Sequence, residues 1–447
     1  MIKFLRKKLD SQIKTLLKNS SWVIYSFIFG TLLAFVRSII VARGLGAELF
    51  GIYAVITAFI GTLQAIFNLN LGAVVIKYGS TYKTENREDK IVSLVKLCFL
   101  ASSVAIVISV LIVSGFVLFS YDTFIKAPGL GWFAILYSIA ASGLFFTQIS
   151  KGTLRLYFKF KSNSIVQMVI DFIEVLLIFL SLYFFPKNLN MFLLAILVSR
   201  LVNNVIPNIA AFRELIPELR THLDASISLI KSQFKQIGYF AFHNSLAKTL
   251  QTLINTGDIL IIGLFAGSPT QAGFYSVGKR VAFSILALTD PLVSSIYPQL
   301  CLLYAENKIS EIKRMILKLS MMAAVPATVL VLIAFFFHEI IMKTLYGPEY
   351  IAAGETFYLL TGASLISAVF FWIHPLLQAL DLLKIRLKIY LIGISAGLIS
   401  AYFLVPLYGS KGMAFSLILV NLTMPYFLIH YSLKKLNESK IENKEIN

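Results

Sequence analysis

Acidic residues are in short supply: 22 Asp and Glu stand against 40 Lys and Arg in 447 residues, a formal net charge of +18. Cysteine, tryptophan and histidine are rarer still, at two, three and five. Cys98 and Cys301 have neither metal-site nor redox-pair spacing, so both read as free thiols and say nothing about compartment. No histidine has a second histidine or a cysteine at ligand spacing; His243 stands in an apolar run, His374 precedes Pro375, and His338 and His430 lie at run ends. Neither a metal centre nor a cofactor is expected. No glycine-rich loop ends in Gly-Lys-Ser/Thr, which speaks against ATP hydrolysis, and no serine sits in a Gly-x-Ser-x-Gly turn. With no catalytic set visible, the expected role is not that of an enzyme.

What the chain has in abundance is apolar sequence. Hydrophobic residues make up 58% and mean hydropathy is +0.81, above the roughly 45–50% apolar share of soluble domains. Spans long enough to cross a bilayer can be drawn at about 20–42, 48–78, 91–118, 129–150, 164–185, 189–212, 237–266, 273–300, 315–337, 353–379, 387–407 and 413–433,. With the N-terminus inside, the segments assigned to the cytoplasm carry 27 Lys and Arg and the outer loops 5. That contrast is the positive-inside pattern of a bacterial cytoplasmic (inner) membrane; it places both termini in the cytoplasm and argues against nucleic acid as a partner. The outer loops reach no more than about fifteen residues, too short for the acceptor platform of a membrane transferase. Residues 1–19 alternate Phe4, Leu5, Leu9, Ile13 and Leu16 with lysines and arginine at helical spacing, which predicts an amphipathic segment lying on anionic membrane lipids.

An internal repeat divides the chain. RSIIVARGLGAELFGIYAV at 37–55 is answered by DILIIGLFAGSPTQAGFYSV at 258–277: Arg37 and Asp258 each precede a glycine, Gly46 or Gly267, by nine residues, and Gly51-x-Tyr53 matches Gly273-x-Tyr275. YKTENREDKIVSLVKL from Tyr82 is likewise echoed by YAENKISEIKRMILKL from Tyr304. The offset covers six spans, an even number, so the halves share one orientation and are related by an axis along the membrane normal. The expected organisation is an N-lobe at 20–212, a cytoplasmic, partly helical linker at 213–236, a C-lobe at 237–433 and a charged, disordered tail at 434–447.

Polar groups inside the spans mark the candidate site. Asn244, Lys248, Gln251, Asn255 and Asp258 recur at intervals of four, three, four and three within the apolar run Tyr239–Phe265. At 100° per residue they fall in an arc of about 80° on one helix face, in a file roughly 21 Å long. A charge at a helix centre costs on the order of 2.5–3.5 kcal/mol, so this face lines either a wet cavity or neighbouring side chains that act as interhelical glue. Asp171 and Glu174 share a face of the fifth span, and Arg200 stands with Asn203 and Asn204 in the sixth; these read as a buried ion pair or as ligand and coupling groups. Arg37 and Lys248 have no opposite charge nearby along the sequence, which points to ligands. Arg37 suits a diphosphate because guanidinium offers a rigid fork of donors and stays charged. Lys279 and Arg280 begin the eighth span beside Tyr275, with Asp290 and Pro291 deeper; Arg280 either lines the cavity or snorkels to the interface.

The runs FVRSIIVARGLGAELFGIYAV, NLNLGAVVIKYGS, DILIIGLFAGSPTQAGFYSVGKR with Pro298 after it, and LYGPEY at 345–350 together resemble the polysaccharide-transport branch of the multidrug/oligosaccharidyl-lipid/polysaccharide exporter superfamily, which includes the O-antigen flippases. The resemblance implies an all-α integral membrane fold of 12 transmembrane helices in two pseudo-symmetric six-helix bundles around a central, V-shaped, solvated cavity lined by spans 1, 2, 7 and 8. It implies flipping of an undecaprenyl-diphosphate-linked oligosaccharide for O-antigen, capsule or exopolysaccharide, with polysaccharide polymerase and glycosyltransferases as partners. Related lipid II flippases carry an arginine before an Ala-Arg-x-x-Gly run that is implicated in holding the diphosphate; Arg37, followed by Ala42, Arg43 and Gly46, matches it. The chain departs from that branch in lacking the extra helix pair that forms a lipid-tail groove. It departs from several drug exporters in having no acid between Ser20 and Arg43.

On this reading Arg37 and Lys248, with Arg200, Lys279 and Arg280, bind phosphate or acidic sugar, while Asn244, Gln251 and Asn255 exchange hydrogen bonds with hydroxyls. Asp258, related to Arg37 by the repeat, pairs with it in one state. The alternative is a cation-coupled exporter of drugs or metabolites, for which Asp258, or Asp171 with Glu174, supplies the protonatable acid. The predicted orientation has a direct test: alkaline phosphatase fused after Ser268 is expected to be active and fused after Asn447 inactive, and the reverse pattern would overturn it.

Overall fold

Hydrocarbon offers no water to an unpaired amide or carbonyl, so apolar runs of this length must close their backbone hydrogen bonds within each segment, and helices are the outcome. The computed structural model describes residues 2–125, 129–286, 308–380 and 382–446, together with 296, 300, 303, 304 and 306. Among them the order is α1 (Ile2–Phe67), α2 (Leu71–Thr84), α3 (Glu88–Ile125), α4 (Gly131–Ser142), α5 (Leu144–Leu156), α6 (Phe160–Phe184), α7 (Leu189–Leu219), α8 (Phe234–Phe265), α9 (Pro269–Leu286), α10 (Ile309–Tyr346), α11 (Ala353–Val369), α12 (Ile373–Ala379) and α13 (Leu383–Ile446). Asp290, Pro291, Pro298 and Cys301 fall outside the described residues, as do the side chains of the N-terminal amphipathic segment, whose backbone continues into α1.

A straight α1 would run roughly 100 Å, about three hydrocarbon thicknesses. It is broken at Gly46, which takes φ 80° and ψ 173°, a conformation open to glycine because it has no Cβ. Glu349, from the LYGPEY run, closes on this turn: its Oε2 accepts a hydrogen bond from Ala47 N at 3.3 Å. α13 turns in the same way at Gly409, φ 56°. Seven of the described helical stretches are long and apolar enough to cross a membrane. Their outward faces are uniformly greasy, as at Leu118, Phe119, Val325 and Phe336, which are 73%, 90%, 69% and 70% exposed. Exposure of that extent requires lipid, and the chain is a multi-pass membrane protein.

The chain forms two compact units: Met1–Leu45 with Val55–Gly257, and Gly46–Ala54 with Asp258–Asn447. The division falls inside α1 and again inside α8. In the first unit α2 packs Val74 and Val75 among Ile91 and Leu94 of α3, Ile149 of α5 and Ile237 of α8. In the second, α11 packs against α9, α10 and α13, and a separate cluster gathers Ile312 and Ile316 of α10 with Leu376 and Leu377 of α12 and Leu428 of α13. The two repeat glycines meet there. A Cβ on Gly51 would lie 1.9 Å from the Pro269 carbonyl oxygen, and one on Gly273 would lie 2.3 Å from that of Ala47.

Past α7 the linker makes 3-10 turns at Arg220–His222 and Ile227–Gln233 and is tied to the first unit. Lys96 Nζ donates to the carbonyls of Leu223 and Ala225 at 2.5 and 3.0 Å, Ser93 Oγ to Ser226 O at 2.8 Å, and Tyr82 Oη to Gln233 Oε1 at 2.5 Å. At the other end the structure differs from the expected unwound tail: α13 stays helical to Ile446. Cys98 is a free, buried thiol, as its spacing indicated.

Gly51→Val is expected to lower the melting temperature in detergent, the overpacking costing on the order of 1–3 kcal/mol or more. Gly61→Ala, with nothing near its Cβ, should be neutral or stabilising; equal losses would refute the close approach.

Candidate functional site

The polar residues of α8 fall on two faces. Ser245 Oγ donates to Asn68 O at 2.7 Å and Thr249 Oγ1 to Ala65 O at 2.6 Å, while the hydroxyls of Thr256 and Thr62 lie 3.3 Å apart. This hydroxyl seam fastens α8 to the end of α1, each bond contributing around 0.6 kcal/mol. It escaped the sequence reading, although serine and threonine at i, i+4 and i+11 were a signal for it. The file of Asn244, Lys248, Gln251 and Asn255 lies about 110° round the helix from the seam. Lys248 is exposed and Asn244 half-buried, and the buried Nδ2 of Asn244 has no hydrogen-bond partner among the described residues. The side chains of Gln251 and Asn255 lie outside the described ones.

Asp258 ends the file differently. It is 6% exposed, its Oδ2 accepts the Tyr275 hydroxyl at 2.8 Å and forms an ion pair with Lys279 of α9, and its Oδ1 accepts the Ile259 amide at 2.8 Å. Two of the predicted site residues, Asp258 and Lys279, thus come together with Tyr275 as one cluster, with Arg280 exposed beside it on α9.

Within the first unit a second cluster forms around α6. Arg37 Nη1 lies 2.5 Å from Glu174 Oε1, so the arginine that has no opposite charge near it in sequence has one in space. Arg200, one reading of which paired it with Asp171 and Glu174, places its guanidinium 5.7 Å from the Tyr137 ring centre, and the arginine that meets Glu174 comes from α1. Asp171 Oδ1 accepts Gln167 Nε2 at 2.7 Å, and Lys151 Nζ donates to Gln167 Oε1 at 2.6 Å. Asp171 also lies against Gly30, where a Cβ would come within 2.9 Å of its Oδ2. Asn204 Nδ2 donates to Ala140 O at 2.5 Å, locking α7 to α4. Among the described residues no group of three or more metal-ligating side chains occurs.

A sequence model of the family described as polysaccharide biosynthesis protein matches residues 16–303. No curated protein sequence matches the chain. Among solved structures it is similar to the lipid II flippase MurJ in an inward closed conformation (TM-score 0.68, 14% identity, 95% of this chain and 90% of that one). It is also similar to an inward-facing multidrug resistance MATE family transporter of the MOP superfamily (0.67, 14%, 92% and 95%) and to the Vibrio cholerae MATE transporter VcmN in the bent form (0.59, 12%, 97% and 98%).

The Asp258 cluster makes a prediction of its own. Asp258→Asn removes the carboxylate that Lys279, its side chain 17% exposed, pairs with, which should cost up to about 3 kcal/mol, and Asp258→Asn with Lys279→Met should recover most of it. Melting temperatures of the two variants that coincide would show that the pair is not a buried ion pair.

Proposed function

Because the chain belongs to the polysaccharide biosynthesis protein family, we propose that it is a flippase that carries an undecaprenyl-diphosphate-linked oligosaccharide from the inner to the outer leaflet of a bacterial cytoplasmic membrane. The product would serve O-antigen, capsule or exopolysaccharide synthesis. The observation that carries this reading is the free face of α8, where an exposed Lys248 and the unpartnered amide of Asn244 stand on a helix whose packing hydroxyls point elsewhere. Lipid cannot satisfy an ammonium or an amide, whereas a phosphate and a sugar hydroxyl can. The headgroup travels along this face and the prenyl tail stays in the bilayer.

Arg37 complements Lys248. Its side chain is 27% exposed while paired with Glu174, and one carboxylate occupies at most two of its five donors, leaving others for a phosphate oxygen. Glu174 holds the guanidinium in place until the cargo arrives. Twelve crossings, with the lobes at 20–212 and 237–433 and both termini inside, is the arrangement supported by the breaks at Gly46 and Gly409 and by the charge placement.

A cation-coupled exporter is the second reading, favoured by Asp258, a buried carboxylate beside a lysine and a tyrosine that a proton or cation could release. The readings separate in cells lacking the gene. Restoration of surface polysaccharide by the intact chain, its loss with Lys248→Ala or Arg37→Ala at normal protein level, and retention with Lys248→Arg are expected. Unchanged surface polymer in both alanine variants would remove these residues from the site, and altered drug susceptibility with intact glycan would favour the exporter.

A further inference from the structure

A cavity of about 1000 Å³ lies inside the first unit, enclosed by α3, α5 and α7 with Leu223 of the linker at one end. Neither Asn244 nor Lys248 is among its described lining residues, and the inference does not depend on the cargo path proposed above. α7 contributes residues from Asn208 to Leu219, roughly 16 Å of helix. The end remote from the linker is closed by Phe99 and Phe146, whose ring centroids are 5.5 Å apart. The few polar groups there are spent: Ser150 Oγ donates to Asn208 Oδ1, and Asn208 Nδ2 donates to Asn204 O at 2.5 Å. An occupant of that end gains nothing from polar atoms and must be hydrocarbon.

The rim is the opposite. Lys96 and Arg213 both line the cavity and both are exposed. Lys96 gives two hydrogen bonds to the linker carbonyls, which leaves one of its three protons, and Arg213 brings a bidentate fork. Beside them the mouth opens sideways through Ile209 and Phe212, 51% and 63% exposed, on the surface that meets lipid.

From this complementarity we propose that the groove is a binding site for an anionic phospholipid: the phosphate is held by Lys96 and Arg213 and one acyl chain runs inward to the Phe99–Phe146 pair. Because Lys96 also ties down the linker, a lipid bound here would stiffen the segment that follows α7.

The purified full chain, exchanged into detergent with phosphatidylglycerol or phosphatidylcholine and weighed by native mass spectrometry, tests the site. Phosphatidylglycerol should be retained about thirtyfold better than phosphatidylcholine, as expected for two basic side chains at the headgroup level. Arg213→Gln, an exposed position, should lower that preference to about fivefold, and Ile209→Trp, which blocks the mouth from the lipid side, should reduce retention of both lipids. Equal retention of the two lipids by the native chain, or a phosphatidylglycerol preference untouched by both variants, would overturn the proposal. So would displacement of phosphatidylglycerol by undecaprenyl phosphate in the native chain but not in Ile209→Trp, since the groove would then belong to the prenyl chain.

Discussion

Inside a bilayer a charge or an amide persists only if another group answers it, and this requirement sorts every polar residue within the helices. Glu174 is answered by Arg37, Asp171 by Gln167, and Asp258 by Lys279 and Tyr275. The hydroxyls of Ser245 and Thr249 are answered by backbone carbonyls of α1. Along α1 and α8 the described groups still open to a ligand include the exposed Lys248, the unpartnered amide nitrogen of Asn244 and the spare donors of Arg37. A cationic and amide-bearing remainder fits a phosphorylated sugar far better than an organic cation.

The same requirement explains where the backbone breaks. Two of the breaks, at Gly46 and Gly409, use a positive φ open to glycine, others fall at Asn70, Asn86, Phe158 and Lys187, and Gly51 and Gly273 stay helical but allow a close backbone approach. The repeated Gly-x-Tyr is therefore more than a remnant of duplication. One copy supplies a glycine for backbone contact with the other, and the tyrosine of the second copy, Tyr275, donates to Asp258, the carboxylate that begins its own repeat.

Sequence alone was sufficient for features encoded locally. Hydropathy exposed the helical membrane class, and the internal repeat singled out Gly46, where α1 breaks, and Gly51, which the chain approaches closely. Pairings between distant segments were not legible. Arg37 looked uncompensated because Glu174 is far along the chain, and Arg200 looked like the partner of Glu174 because it shares the depth, yet depth does not say which helix covers a face. The hydroxyl seam was overlooked for a related reason, since serine and threonine are common enough in membrane helices that their spacing stands out only once α1 is seen beside them.

The most direct measurement is aqueous accessibility along α8. With Cys98 and Cys301 replaced by serine, single cysteines at Asn244, Lys248 and Thr249 would be exposed in intact membranes to a membrane-impermeant thiol reagent added to each side in turn. Rapid labelling at 244 and 248, with 249 protected, is the result expected if the file faces water and the seam faces α1. Cysteine at 248 inert from both sides, or labelled no faster than at 249, would contradict a hydrated path along this helix.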